Sequence, residues 1–363
     1  MKRRVDSIFL TIVITLLVGG FFIFLSASLG LLARETTRFS GIVFNQVFSL
    51  CIGIGAALLV QKIDYRLFKK YSLHILIGAV LLNLVIFIPG LGLEHGGATR
   101  WLTIGSFSLQ PSEFLKLAFI MYFATWLNAV RTKVRTFAYG LIPLGILLSV
   151  IGAILLKQPD TGTFLVIFVT GLGMFIASGA RWKHILTTGG AAVVGVAVLA
   201  LVRPYVRERI MTFINPALDP HGAGYQIQQS LIAIGSGGIF GRGFGQSIQK
   251  FNYLPEPVGD SIFAVFSEEF GLMGGIALMS LFVAFALRGF VLARRAPDHF
   301  SRLLVAGIVI LITTQAFMNM GAMLGVVPLT GIPLPFISHG GSALIAVLLG
   351  TGIVLSISRH ARR

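Results

Sequence analysis

The chain is 363 residues long, 55% hydrophobic and only 12% charged, with a mean hydropathy of +0.89. A soluble domain carries about 25% charged residues, so this composition excludes a water-soluble globule and indicates helices packed in lipid. The formal charge of +16 would suit nucleic acid, but the cations fall in short loops on alternate sides of apolar runs, as the positive-inside rule expects, and nucleic acid is set aside as a partner.

Ten apolar runs are near the length a bilayer requires: roughly 8–30, 41–60, 71–90, 111–129, 138–156, 161–180, 184–202, 261–287, 303–325 and 337–358. The first, at about 23 residues, reads as a span and not as a short leader. The 43 glycines suit close helix packing in lipid. Cys51, the single cysteine, lies in the second run and reads as inert packing, with no disulfide framework. With a cytoplasmic N-terminus, nineteen of the 29 Lys and Arg share one side with three acids, Asp6, Asp64 and Asp298. Both termini are therefore expected in the cytoplasm. The fold class is all-α: a polytopic integral membrane protein of about ten transmembrane helices, one membrane domain over 1–363, with one long extracytoplasmic loop at 203–260.

Four outer-side segments carry the polar groups. In 91–116, Arg100 and Trp101 lie in a loop and Gln110-Pro111-Ser112 starts a helix. Glu113 and Lys116 follow at i,i+3 and either neutralise each other or, for Lys116 together with Arg100, bind an anion. In Lys157-Gln158-Pro159-Asp160-Thr161-Gly162, Asp160 is placed to cap a helix, pair with Lys116 or hold a metal ion. The 203–260 loop holds turn-forming stretches around a helix-compatible piece, YQIQQSLIAI. It ends in YLPEPVGDSIFAVFSEEFG, 253–271, where Glu256, Asp260, Glu268 and Glu269 cluster. Carboxylates at a membrane boundary are costly unless they do chemistry or bind something. Asp260 reads as a helix cap or a general base; Glu268 and Glu269, two turns further in, read as structural pairing groups. Last, PLTGIPLPFISHGGS, 328–342, is an irregular re-entry whose Ser338, His339 and Ser342 are expected to face a cavity.

Together these segments resemble the SEDS family of polytopic glycan polymerases of bacterial shape, elongation, division and sporulation. The resemblance spans nearly the whole chain. It rests on TRWLTIGSFSLQPSEFLKL (99–117), QPDTGT (158–163), DPHGAGYQIQQSLIAIGSGGIFGRGFGQSIQKFNYLPEP (219–257), DSIFAVFSEEFG (260–271) and PLPFISHGGS (333–342). The short join QSIQKFNYLPE is closer to the division and sporulation branches than to the elongation branch. Val258-Gly259 stand where His-Thr is common in the family, and Ser261 where Phe is common.

The resemblance implies a peptidoglycan glycosyltransferase of the bacterial cytoplasmic membrane. It would polymerise lipid II, an undecaprenyl-diphosphate-linked muropeptide, on the outer face, beside a class B penicillin-binding protein and other divisome or elongasome membrane proteins. Asp260 matches the family's essential aspartate. Arg100 and Lys116 would then meet the diphosphate. Trp101, Gln110, Glu113, Asp160, Glu256, Ser338 and Ser342 are further candidate substrate contacts. A divalent cation, Mg²⁺ or Mn²⁺, would be held by Asp160, Glu256 or Asp260, and no organic cofactor is expected. Two other classes compete: a flippase or transporter of a lipid-linked precursor, and a non-catalytic division scaffold. The placing of the charged clusters on one face argues against a carrier with midplane sites.

Overall fold

A computed structural model describes residues 5–361, apart from 34, 35, 96, 97, 105 and 106. Helices α1 (Ser7–Leu32), α2 (Thr36–Val60), α3 (Tyr65–Val85), α4 (Pro111–Ala129), α5 (Ile142–Lys157), α6 (Thr161–Ala177) and α7 (Trp182–Val202) precede the long loop, and α10 (Ile262–Arg295), α11 (His299–Met323) and α12 (Gly341–Ser358) follow it. The fold is helical and membrane-spanning, as composition requires. Among the described residues eight helices are long and apolar enough to cross a membrane. The other two expected spans are α4, which carries Glu113 and Lys116, and α6, apolar but shorter.

The core lies around α11 and α12, which are buried on most faces. α11 packs against α10, α6 and α4, and α12 packs against α2. By contrast α7 buries only Ile185 and sits at the periphery. Cys51 is exposed on α2, so its expected packing role is corrected: it faces outward.

Helix ends follow their chemistry. Asp6 caps α1 by accepting from the Phe9 N–H at 2.8 Å. Asp298 and Ser301 form a reciprocal capping box at the start of α11. Pro204 ends α7 and opens α8 (Pro204–Ile214). The 203–260 segment is thus more structured than a loop. After α8, α9 (Ala223–Ser236) forms on the helix-compatible piece read from the sequence.

Two features depart from the sequence reading. The outer segment before α4 folds as an antiparallel sheet, β1 (Gly92–His95), β2 (Ala98–Ile104) and β3 (Phe107–Leu109), in the order β1-β2-β3. The expected span 261–287 is instead a longer helix, broken at Gly271 (φ 65°, ψ −165°). That conformation is open essentially to glycine alone.

The break is compensated bond for bond. In an unbroken helix the N–H groups of Leu272 and Met273 would bond the carbonyls of Glu268 and Glu269. Here those carbonyls accept from Arg242 (3.0 Å) and Gly243 (2.9 Å), while Leu272 and Met273 donate to Gly238 (2.9 Å) and Ile239 (3.1 Å). The Gly-rich stretch after α9 therefore lies inside the gap in α10. Irregular backbone at this depth persists only where protein satisfies it.

Candidate functional site

At one end of the bundle the outer-side segments converge. The turn before α10, the start of α4, the start of α6, α8, α9 and the re-entry before α12 are cross-linked by side chains. Asn319 Nδ2 on α11 donates to the carbonyls of Asp260 and Ile332, each at 2.8 Å. Ser338 Oγ donates to the Gly259 carbonyl at 2.6 Å, and the His339 N–H to the Val258 carbonyl at 2.7 Å.

Asp260 stands at the centre of this convergence. Its carboxylate does not cap α10: Ser261 is the cap residue, with no side-chain cap bond. Instead Asp260 Oδ1 accepts from Gln226 Nε2 on α9 at 3.1 Å, and the same amide donates to Ser261 Oγ at 2.9 Å. Desolvation drives the Asp260 pKa up to about 6, against the lowering effect of the Gln226 bond and with help from the Glu256 charge. Its accessible surface is intermediate, but the surrounding protein is dense enough to penalise its charge. A carboxylate with this pKa accepts a proton readily near neutral pH.

The cations sort into two kinds. Lys116 Nζ lies 2.9 Å from both Glu113 oxygens and 2.8 Å from Gln315 Oε1, and is 2% exposed. This is the neutralised pair, extended to a third partner that ties α4 to α11. Arg100 on β2 reaches the carbonyls of Gln158 (3.3 Å) and Pro159 and the Tyr205 hydroxyl. Arg209 on α8 stacks over the Tyr205 ring at 4.5 Å. Burial lowers its pKa, and it feels the charges of Tyr205, Arg100, Asp160 and Asp260. Among the described residues it has no hydrogen bond or ion pair, so a partly desolvated guanidinium keeps its donors for a ligand.

The remaining candidates are placed as follows. Asp160 caps α6 through the Thr163 N–H (3.2 Å), and its second oxygen accepts from Ser112 Oγ (3.2 Å). It does not pair with Lys116. The hydroxyls of Ser338 and Ser342 are buried and bond backbone: Ser338 Oγ also accepts the Leu334 N–H, and Ser342 Oγ accepts the Gln110 N–H at 3.1 Å. Gln110 itself is the N-cap residue of α4 without a side-chain cap bond. Trp101 is half-buried on β2, opposite Leu93 in register. Glu256 is exposed, with positive φ, in the turn whose carbonyl accepts from Gly259 and Ser261. Among the described residues no three His, Cys, Asp or Glu side chains gather to hold a metal ion. Asp160, Glu256 and Asp260 therefore do not form a cage, though Asp260 and Glu256 remain near each other.

Reading the sequence missed Gln226, Arg209, Tyr205, Gln315 and Asn319. Gln315 and Asn319 carried a signal: two amides at i,i+4 in an apolar span are expensive unless they bind something inside the bundle. Arg209 carried none, since it is one of two arginines in α8, with Arg203 just before it.

The chain matches the family model described as cell cycle protein, FtsW/RodA/SpoVE, over residues 6–363. It is 40% identical to stage V sporulation protein E of Bacillus subtilis, covering 88% of this chain and 87% of that protein. It is 39% identical to a probable peptidoglycan glycosyltransferase FtsW of Geobacter metallireducens, covering 99% and 96%. Among solved structures it resembles one described as the structural coordination of polymerization and crosslinking by a peptidoglycan synthase complex (TM-score 0.81, 28% identity, 99% of each chain). It also resembles the rod shape determining protein RodA of Thermus thermophilus (TM-score 0.73, 27% identity, 99% and 98% covered).

Proposed function

The chain belongs to the FtsW/RodA/SpoVE family, most like FtsW, and from that premise we propose that it is a peptidoglycan glycosyltransferase that polymerises lipid II on the outer face of the cytoplasmic membrane. The observation that carries the reading is the carboxylate of Asp260, freed from capping and with its pKa raised to about 6 where the outer segments meet.

Asp260 takes the proton of the acceptor sugar hydroxyl as its oxygen attacks the anomeric carbon of the donor. The new C–O bond forms as the bond to the diphosphate oxygen breaks, and that electron pair leaves on the diphosphate. One displacement inverts the anomeric centre without a covalent enzyme intermediate. Arg100 and Arg209 meet the growing negative charge of the leaving group. Lys116 supports the site from beneath by holding Glu113 and Gln315, and Gln315 in turn donates to the Pro333 carbonyl at 3.0 Å. Between α1 and α10 an apolar groove of about 480 Å³, lined by Gly19, Phe22, Phe244, Phe266, Phe270 and Leu281, suits a prenyl chain.

A Mg²⁺ or Mn²⁺ ion would arrive with the diphosphate, using its oxygens and one or both of Asp260 and Glu256, the mode hard ions adopt at phosphates. It would supply charge neutralisation at the leaving group. A class B penicillin-binding protein is the partner that would crosslink the product.

The test is polymer formation by purified protein from labelled lipid II, with and without its penicillin-binding protein and with and without EDTA. Asp260→Asn is expected to lower the rate about 10²–10⁴-fold while lipid II binding is kept. Activity within a fewfold of wild type would remove Asp260 as the base. Undiminished rates in EDTA would remove the ion.

A further inference from the structure

Glu268 and Glu269 lie about 12 Å along α10 from Asp260 and take no part in the chemistry above. Both are buried, and every bond they make goes to the stretch after α9 or to α1. Glu268 accepts from Ser247 Oγ (2.6 Å) and the N–H groups of Ile248 (3.1 Å) and Gln249 (3.2 Å), with Arg242 Nε at 3.4 Å. Glu269 accepts from Lys250 Nζ (2.7 Å) and Ser26 Oγ (2.6 Å). Lys250 is fully buried; its ammonium also donates to the Gly245 carbonyl (2.8 Å) and Ser26 Oγ (3.2 Å).

These bonds sit immediately before the break at Gly271. The helical geometry is interrupted there, so unbroken helix continuity does not set the rotation of the piece Ile262–Phe270 relative to the remainder of α10. Two backbone bonds, from the N–H groups of Arg242 and Gly243 to the Glu268 and Glu269 carbonyls, and the two glutamate side chains tie it to the loop instead. Apolar packing at such a junction would tolerate sliding, whereas directional bonds to charged groups admit one register.

We propose that Lys250, Glu268 and Glu269 are positioning residues for Asp260: they lock the short helix behind the carboxylate to the loop that follows α9, and so set where Asp260 stands relative to Gln226 and Arg209. This rests on the reading of Asp260 as the base. The loop clamps both sides of the break: it holds the base-bearing helix through Glu268 and Glu269 and the remainder of α10 through the N–H groups of Leu272 and Met273.

The experiment uses full-length protein with Lys250→Met and Glu269→Leu together, which removes the pair without leaving a lone buried charge. Thermal melting, kcat and KM are measured with labelled lipid II. A melting temperature near wild type, KM within about threefold and kcat down at least about tenfold are expected, the signature of a lost transition-state alignment. Full kcat in the folded double variant, or a loss carried by KM alone, would overturn the proposal. The same pair placed in Asp260→Asn is expected to cause no further loss, since it acts through that carboxylate; an additive loss would overturn it. Should the double variant fail to fold, Ser247→Ala removes only a hydroxyl bond to Glu268 and is read by the same kcat and KM criteria. A near-normal rate in Asp260→Asn alone removes the base assignment, and the positioning role with it. Full kcat in the double variant with an inactive Asp260→Asn removes the positioning role only.

Discussion

At the scale of single residues, the environment that makes Asp260 useful also makes it expensive. Its carboxyl is raised from 3.8 to about 6 by desolvation first. The folded protein then holds this proton more tightly than the unfolded chain. Stability is full below pH 3.8 and falls as pH rises through about 6, by roughly 3 kcal/mol. Asp260→Asn lifts that penalty, so at pH 7.5 the inactive variant is expected to melt at or above the wild-type temperature, with the two converging at low pH. The wild-type polymerisation rate should rise with pH through about 6 as the base deprotonates; a flat rate over that range would contradict the assignment. Arg209 gives a second residue-scale prediction. Its planar fork, held over Tyr205, suits two phosphate oxygens at once, and lysine lacks that geometry. Arg209→Lys is expected to lower polymerisation at limiting lipid II by about 10–100-fold, as loss of one or two charge-assisted bonds implies. Wild-type rates would show that charge alone suffices there.

At the scale of elements, the interrupted α10 depends on the loop that enters it. A Cβ on Gly241 would sit 2.1 Å from the Glu269 carbonyl oxygen, and its φ is +82°. Gly241→Ala should therefore push the loop out of the gap and destabilise the fold by about 2 kcal/mol or more. Gly190→Ala on α7, where a Cβ meets nothing within 4 Å, is the matched control and should be neutral. Equal melting temperatures for the two variants would contradict the packing described. The spans were legible because apolar length is a strong signal. The sheet before α4 was not read, because its strands are only three to seven residues long and Arg100 and Trp101 between them read as a loop. The break at Gly271 was not, because one glycine in a helix does not announce that its carbonyl partners lie thirty residues away. For the site, Asp260 and Arg100 were legible as costly charges at a boundary. The capture of Lys116 by Gln315, and the use of Ser338 and Ser342 to hold backbone, depend on tertiary contacts that spacing does not encode.

At the scale of the whole molecule, the two ends of the bundle are chemically distinct. The end opposite Asp260 gathers both described termini: the Asp6 N–H donates to Ser358 Oγ at 3.2 Å, and Arg288 Nε donates to Asp6 at 2.9 Å. Tyr65 and Asp298 meet there as well, at 2.7 Å. This is the end that carries most of the Lys and Arg, and cations are retained on the cytoplasmic side. On that rule the Asp260 end is expected to face outward, as the proposed outer-face polymerase requires. A carrier would instead be expected to hold its charged groups near the midplane. The orientation is testable with single cysteines in a Cys51→Ala background. Gln246 is exposed on the loop that enters α10, and Lys133 is exposed between α4 and α5 at the other end. An impermeant thiol reagent added to intact cells stripped of any outer membrane is expected to label Gln246→Cys and to spare Lys133→Cys until the membrane is opened. Labelling of Lys133→Cys alone would invert the molecule. Asp260 would then face the cytoplasm, and an outward polymerase would no longer be tenable.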